Sequence, residues 1–305
     1  MTKDTRYIIL GYPRSGTTLL SRLLDAHPDV SCPPETHLFT AAARFLSEQD
    51  NVEGPPIGVL AGVNFLGVEA EDVLNPLRKM CFGFHERAAQ GAPIWVEKTG
   101  VDIFHIDKLK LLLEGHAKFI LLWRNPLDVI PSNVDLAEKM GAPLTDVWQD
   151  TRSWICPFEG LAQSWVQRSQ DLRAFQDAIG EDCHALKYED LTQDPASTLS
   201  ELFRFMGAQG DATDVVSQAF TREPNIGLGD FRIDGMTEVR PPDPKAWRTR
   251  LPRMAAGRVV KIVAEEMEHL GYDVPKTPKR PSRETAVRQF TMAAQMKRNT
   301  PDGTS

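Results

Sequence analysis

Two stretches of this chain carry residue types suited to holding anions, and a third brings a lysine to the polar end of an apolar run. The first is Gly11-Tyr12-Pro13-Arg14-Ser15-Gly16-Thr17-Thr18, which follows the apolar run Ile8-Ile9-Leu10. Glycines let the backbone wrap closely. The helix that the hydroxyl residues open would present unpaired amides and a positive dipole end, so this turn is expected to hold an anion. The plain alternative is a tight strand-to-helix turn that needs glycine only for its shape. A nucleoside triphosphatase would carry Lys at position 17. Here the residue is Thr17, and the nearest cation is Arg14, inside the loop.

The second stretch is Arg124 at the end of Lys118-Phe119-Ile120-Leu121-Leu122-Trp123, with Ser132 eight residues on. A magnesium-nucleotide site needs a carboxylate at such a strand end. A guanidinium fork and a hydroxyl suit a second phosphate instead, the alternative being an ordinary strand-end ion pair. One ligand bearing two separated phosphate-like groups explains both stretches. The third is Glu97-Lys98-Thr99, ending the run Ile94-Trp95-Val96.

These residues need elements to bring them together. Arg6 to Gly11, Ile94 to Thr99, Lys118 to Trp123 and His184 to Tyr188 read as strands, with Val30-Ser31-Cys32 a short further one. Their continuous apolar character marks a sheet covered on both faces. Helices are expected over Thr17 to Ala26, Ile106 to Glu114, from about Leu127, Leu161 to Ile179, 196 to 206 and 255 to 270. Residues 37 to 92 read as helical, loop-rich cover, and 140 to 160 as irregular. Alternating strands and helices predict an α/β fold, doubly wound, with a mostly parallel central sheet, resembling the P-loop NTPases, as a single domain with helical insertions covering the substrate.

Composition bounds the function. The chain has 305 residues, 41% hydrophobic and 25% charged, with a formal net charge of −7. That is a globular composition, and the acidic balance argues against nucleic acid as partner. No apolar run reaches bilayer length and Met1-Thr2-Lys3-Asp4-Thr5-Arg6 enters a strand directly, so no transmembrane segment and a cytoplasmic location are expected. Cys32, Cys81, Cys156 and Cys183 lack metal-site spacing and read as reduced thiols.

Four motifs in order across about residues 6 to 206 resemble the sulfotransferases that use 3′-phosphoadenosine 5′-phosphosulfate. Pro13-Arg14-Ser15-Gly16-Thr17-Thr18 is similar to their 5′-phosphosulfate loop, and Arg124 with Ser132 to their 3′-phosphate motif. Glu97-Lys98-Thr99 resembles a segment of the glycan sulfotransferases, with Gly100 where Pro is usual. Lys187-Tyr188-Glu189-Asp190-Leu191 resembles a strand end whose Tyr lies by the cofactor. The stretch Arg14 to Thr36 leans toward the protein-tyrosine sulfotransferases. The resemblance implies an enzyme moving a sulfuryl group to a hydroxyl acceptor such as a peptide tyrosine, a sugar or a small alcohol or phenol. It implies Arg14 and Lys98 as neutralising cations without a metal, and one of Arg240 and Arg248 at the 3′-phosphate. Beyond residue 206 the match thins, although Trp247 and Leu270-Gly271-Tyr272 are similar to family endings.

On the acceptor side, Glu35 in Pro34-Glu35-Thr36-His37 resembles the base of the glycan enzymes. The tyrosine-sulfating subgroup keeps its base one position earlier, where this chain has Pro34, and His37 is the reserve. Trp148, Trp154, Phe158 and Trp165 are core residues on one reading and an acceptor pocket on another. The domain is expected over 1–275. The basic tail, 276–305, reads as a solvated helix, with an arm to a second copy in a homodimer or a contact to an acidic acceptor as other uses of its charge. Two further functions compete: a P-loop small-molecule kinase and a catalytically silent nucleotide-binding protein. Thr17 and Arg124 stand against the kinase. Glu35 and Lys98 stand against the silent binder.

Overall fold

The apolar runs become the strands of one sheet. The computed structural model describes residues 5–49, 54, 56–221 and 236–276. Strands β1 (Arg6–Leu10), β2 (Val30–Ser31), β3 (Ile94–Lys98), β4 (Lys118–Trp123) and β5 (Cys183–Lys187) pair in parallel in the order β2-β3-β1-β4-β5. The helices are α1 (Thr17–Asp25), α2 (Leu38–Phe45), α3 (Val59–Asn64), α4 (Ala70–Ala88), α5 (Ile106–Leu113), α6 (Pro126–Met140) and α7 (Thr145–Thr151). They continue with α8 (Pro157–Ile179), α9 (Tyr188–Gln193), α10 (Pro195–Met206), α11 (Ala212–Gln218), α12 (Trp247–Arg250) and α13 (Arg253–His269). This is the doubly wound parallel fold that the runs predict.

The pleat sends successive side chains to opposite faces, so each strand feeds two cores. Ile8, Leu10, Trp95, Phe119 and Leu121 pack with residues of α2, α4, α5, α6, α8 and α13. Tyr7, Ile9, Val96, Ile120 and Leu122 pack with α1, α10 and α11. In α1 the buried Leu19, Leu20, Leu23 and Leu24 fall on one side, each worth about 1.5–3 kcal/mol on burial. That burial holds the start of the helix in place although no side chain caps it.

Strand order decides where a ligand fits. The chain leaves β1 toward β2 and β3 on one side, then crosses to β4 on the other. At such a switch point the loops after two neighbouring strands diverge and leave a crevice at the carboxyl ends. The turns after β1 and β4 therefore face each other.

Two segments differ from the sequence reading. The stretch from 140 to 160 is not irregular throughout: it contains α7, and α8 already begins at Pro157. Asp146 of α7 binds Arg44 of α2 through both carboxylate oxygens, at 2.9 and 2.7 Å, and lies 3.0 Å from His105 Nε2. A tertiary ion pair secures this helix together with Val147, which is buried in the first core. Residues 188–193 also form a helix before α10. Leu270, Tyr272 and Val274 pack on the first core. The basic-tail expectation, from 277 onward, lies outside the described residues. Among the described residues no helix is long and apolar enough to cross a membrane.

Asp102, in a 3-10 turn after β3, is fully buried and accepts a 2.5 Å bond from Thr40 of α2. Burial pushes its pKa well above the ordinary range; the Thr40 bond opposes this, while Glu97, Glu35 and Asp146 add to it. Below about pH 4, the ordinary carboxyl range, the folded and unfolded chains both hold the proton. Above it only the unfolded chain releases the proton, so this group favours the fold at acid pH and loses that contribution as pH climbs toward the raised folded value. Asp102→Asn is therefore expected to melt close to the parent at pH 4 and progressively above it toward pH 8. Melting curves for the two that stay parallel across that range would contradict the assignment.

Candidate active site

The loop after β1 carries backbone geometry found only under constraint. Arg14 has φ 76° and Gly16 φ 97°. A non-glycine residue in the left-handed region is uncommon and persists where surroundings hold it. Here they do: Arg124 Nη1 donates to the Arg14 carbonyl at 2.9 Å, and Asn133 Nδ2 to the Pro13 carbonyl at 2.9 Å. At Gly16 a Cβ would fall 2.2 Å from Tyr188 Cδ2, so the phenol ring lies directly on the loop and only glycine fits beneath it. The Arg124 guanidinium in turn stands 4.0 Å from the centre of that ring.

The structure brings most of the sequence candidates into one crevice. Arg14 Nε donates to Ser132 Oγ at 3.1 Å, so Arg14, Arg124, Ser132 and Tyr188 form one group beside Pro13 to Thr18. Two buried polar atoms in it, Ser15 Oγ and Arg124 Nε, have no hydrogen-bond partner. The first turn of α1 has no acidic residue and no side-chain cap. Orphaned donors of this kind at a wrapped loop fit an anion with more than one charged group.

Beside this group sits the second cluster. β3 pairs with β1 so that Lys98 lies opposite Ile9, one strand over from the loop. Lys98 Nζ donates to Glu35 Oε1 at 2.7 Å and to Thr18 Oγ1 at 3.4 Å. The base candidate Glu35 and the cation candidate Lys98 therefore touch each other, and Lys98 reaches the helix start as well. Lys98 is buried, while the Glu35 side chain retains 16% exposure. His37 Nε2 stands 3.8 Å from Glu35 Oε2 with its side chain 44% exposed.

Other candidates have partners of their own. The Arg240 Nε donates to Glu238 at 2.5 Å on the exposed surface, and Arg248 stands 5.5 Å from the ring of its neighbour Trp247. Arg250, not singled out from the sequence, is the cation that reaches Asp135 on α6. Of the aromatics, Trp165 is core, Phe158 packs against it, and Trp148 and Trp154 are exposed. Among the described residues no group of three or more His, Cys, Asp or Glu is placed to hold a metal. All four thiols are free.

Sequence reasoning missed a brace behind Arg124. Glu189 accepts from the Asn125 amide at 2.9 Å and from the Tyr272 hydroxyl at 3.0 Å, tying the turn after β4 to the end of the described chain. Burial first, then the Glu189 charge and hydrogen bond, push the Tyr272 pKa up. The signal was present in Tyr188-Glu189-Asp190-Leu191 and Leu270-Gly271-Tyr272, but nothing in either segment says that they meet.

A family model described as "Sulfotransferase family" matches residues 7–212. The chain belongs to the sulfotransferase family. That span contains every strand but for the first residue of β1, and the whole of the two clusters above. The nodulation protein NoeE of Sinorhizobium fredii is 27% identical over 280 residues, covering 87% of this chain and 65% of that protein. The protein-tyrosine sulfotransferase of Drosophila melanogaster is 23% identical over 277 residues, covering 88% of this chain and 52% of that one. The chain thus spans about half to two thirds of the length of these curated relatives. Among solved structures, the sulfotransferase domain of the Synechococcus PCC 7002 olefin synthase shares the fold, with a TM-score of 0.61 at 21% identity, covering 90% of this chain and 98% of that one.

Proposed function

We propose that this member of the sulfotransferase family transfers a sulfuryl group from 3′-phosphoadenosine 5′-phosphosulfate to a hydroxyl acceptor. The observation that carries the reading is the Glu35–Lys98–Thr18 contact set at the mouth of the loop, adjoining Arg14, Arg124 and Ser132. A base beside a cation at the start of an uncapped helix suits group transfer between two oxygens.

The residues divide the work by chemistry. Arg124 and Ser132 hold the 3′-phosphate side, with Tyr188 as the flat wall that packs on Gly16, and Arg14, in the loop, joins Lys98 in neutralising the transferring group. The amides of Ser15 to Thr18 and the Ser15 hydroxyl hold the 5′ side. When bound, the donor supplies a sulfuryl group joined to phosphate through a bridging oxygen. Glu35 takes the acceptor hydroxyl proton as the new sulfur–oxygen bond forms, and Lys98 stabilises negative charge on the bridging oxygen as its bond to sulfur breaks. The sulfuryl group carries less charge than a phosphoryl group, so amides, hydroxyls and cations neutralise it without a divalent metal. The acceptor is a hydroxyl compound, with peptide tyrosine, sugars and small alcohols or phenols as the classes to screen.

The test has two arms. Thermal shift with 3′,5′-adenosine bisphosphate in EDTA should stabilise the protein, and ATP with magnesium should not. Labelled donor with an acceptor panel, again in EDTA, should yield labelled product. Stabilisation by ATP with an absolute magnesium requirement would replace this reading with a small-molecule kinase.

A further inference from the structure

Glu35 and Lys98 act together only if the loop after β2 and the end of β3 keep a fixed relation, and the structure shows what fastens them. The pleat of β3 turns Lys98 toward α1 and Glu97 toward the opposite core. Glu97 is 1% exposed, and its carboxylate gathers the acceptor-side loop. Thr36 donates to it from its hydroxyl at 3.0 Å and from its amide at 3.4 Å, and Thr99 Oγ1 donates at 2.7 Å. Thr99 Oγ1 also accepts from the His37 amide at 3.4 Å. Thr36, the residue after Glu35, is thus tied directly, and His37 through Thr99, to one buried carboxylate on the strand that carries Lys98.

Among the described residues, one imidazole enters this knot from outside those segments. His85, on α4, places Nε2 3.1 Å from Glu97 Oε2 and 3.2 Å from Thr36 Oγ1. Its ring is stacked on Trp95 at 3.8 Å and 24°, and lies 5.1 Å from Phe39, so it cannot swing away. His85 Nδ1 is buried without a partner. A bare lone pair on Nε2 would face a carboxylate oxygen, so the proton belongs on Nε2, an assignment made from its partners. Removing this donor leaves a fully buried carboxylate oxygen with Thr36 alone, and the carboxylate then shifts to recover a partner, carrying Thr36 with it.

We propose that His85 is a positioning residue which, through Glu97 and Thr36, fixes the loop that presents Glu35 to Lys98. The inference rests on the sulfuryl-transfer reading for its catalytic meaning. Misplacing a reacting group by about 1 Å costs on the order of 10²-fold in rate. The effect should therefore fall on turnover while donor binding, held by other residues, stays as it was.

His85→Phe keeps the stacking and the volume and removes the donor. His85→Gln returns an N–H near the Nε2 position. The Phe variant is expected to lose about 10- to 100-fold in kcat, with bisphosphate affinity and acceptor KM within about twofold, and the Gln variant to regain most of the loss. Thr36→Val reaches the same knot from the loop side and serves if His85→Phe does not fold. Amide exchange supplies a readout independent of catalysis: Thr36 and His37 should exchange at least about tenfold faster in the Phe variant, with the amides of α1 unchanged. Unchanged exchange at 36 and 37 in a folded Phe variant overturns the proposal, and so does faster exchange with kcat intact. If the unsubstituted chain transfers no sulfuryl group to any acceptor, the function reading fails, and the exchange result still judges whether His85 fastens the loop.

Discussion

Glu35→Gln lowers turnover by about 10²- to 10⁴-fold, the range expected when a positioned general base is removed, and leaves bisphosphate affinity close to that of the parent. The expectation follows from geometry. Glu35 touches Lys98 and adjoins the loop, but makes no contact with Arg124, Ser132 or Tyr188 among the bonds described. Glutamine keeps the shape and still offers an oxygen to Lys98 Nζ. What it lacks is the capacity to take the acceptor proton. A competing effect must be weighed: Lys98 is buried, and a buried charge that loses its ionic partner destabilises the protein by several kcal/mol. Retention of the amide oxygen limits that loss, so the kinetic effect should exceed the thermal one. Single-turnover rates and melting temperature measured on the same sample separate them. A Gln variant with near-parental single-turnover rate would reduce Glu35 to a structural partner of Lys98 and move attention to His37, 3.8 Å away.

Arg124→Ala weakens 3′,5′-adenosine bisphosphate binding by about 2–4 kcal/mol, or roughly 30- to 900-fold. Two separate losses contribute. The orphaned Nε and the charge both go, leaving a phosphate in the crevice without its charge-assisted partners. The bond to the Arg14 carbonyl goes as well, and Arg14 depends on it to hold φ 76°. Arg124→Lys keeps the charge without the fork, so it should recover only part of the affinity. Calorimetry on the two variants checks both statements. An Ala variant with parental affinity would place the 3′-phosphate elsewhere.

The parts of the site that end apolar strands were legible in the sequence. Arg124 and Lys98 each terminate a buried run, and in a parallel sheet such termini share one edge, so their convergence with the loop follows from strand pattern alone. Glu35 was legible through resemblance, not pattern, because β2 is only two residues long. His85 was not legible. It sits in a 19-residue helix of mixed composition, and its meaning arises only when the fold lays that helix across β3 and stacks the ring on Trp95. The helix α7 escaped for a related reason: its hold on Arg44 is made across 102 residues, and no local period announces it. Arg240 and Arg248 were legible only as cations of a charge-rich segment around Trp247, and the contacts they make are local, to Glu238 and to the Trp247 ring.

The brace from Tyr272 to Glu189 has a consequence in time. The two residues are 83 positions apart, so at ~5–20 residues per second of synthesis Glu189 is made ~4–16 seconds before its partner. By then the strands, the loop and Arg124 have all been made. The turn at Asn125 nevertheless lacks the backing that Tyr272 provides until nearly the whole described chain has been translated. A nascent chain thus acquires the cradle for its anionic ligand early and the stiffness of that cradle late. Ligand capture should therefore be weak on the ribosome and tighten only as Tyr272 settles against Glu189.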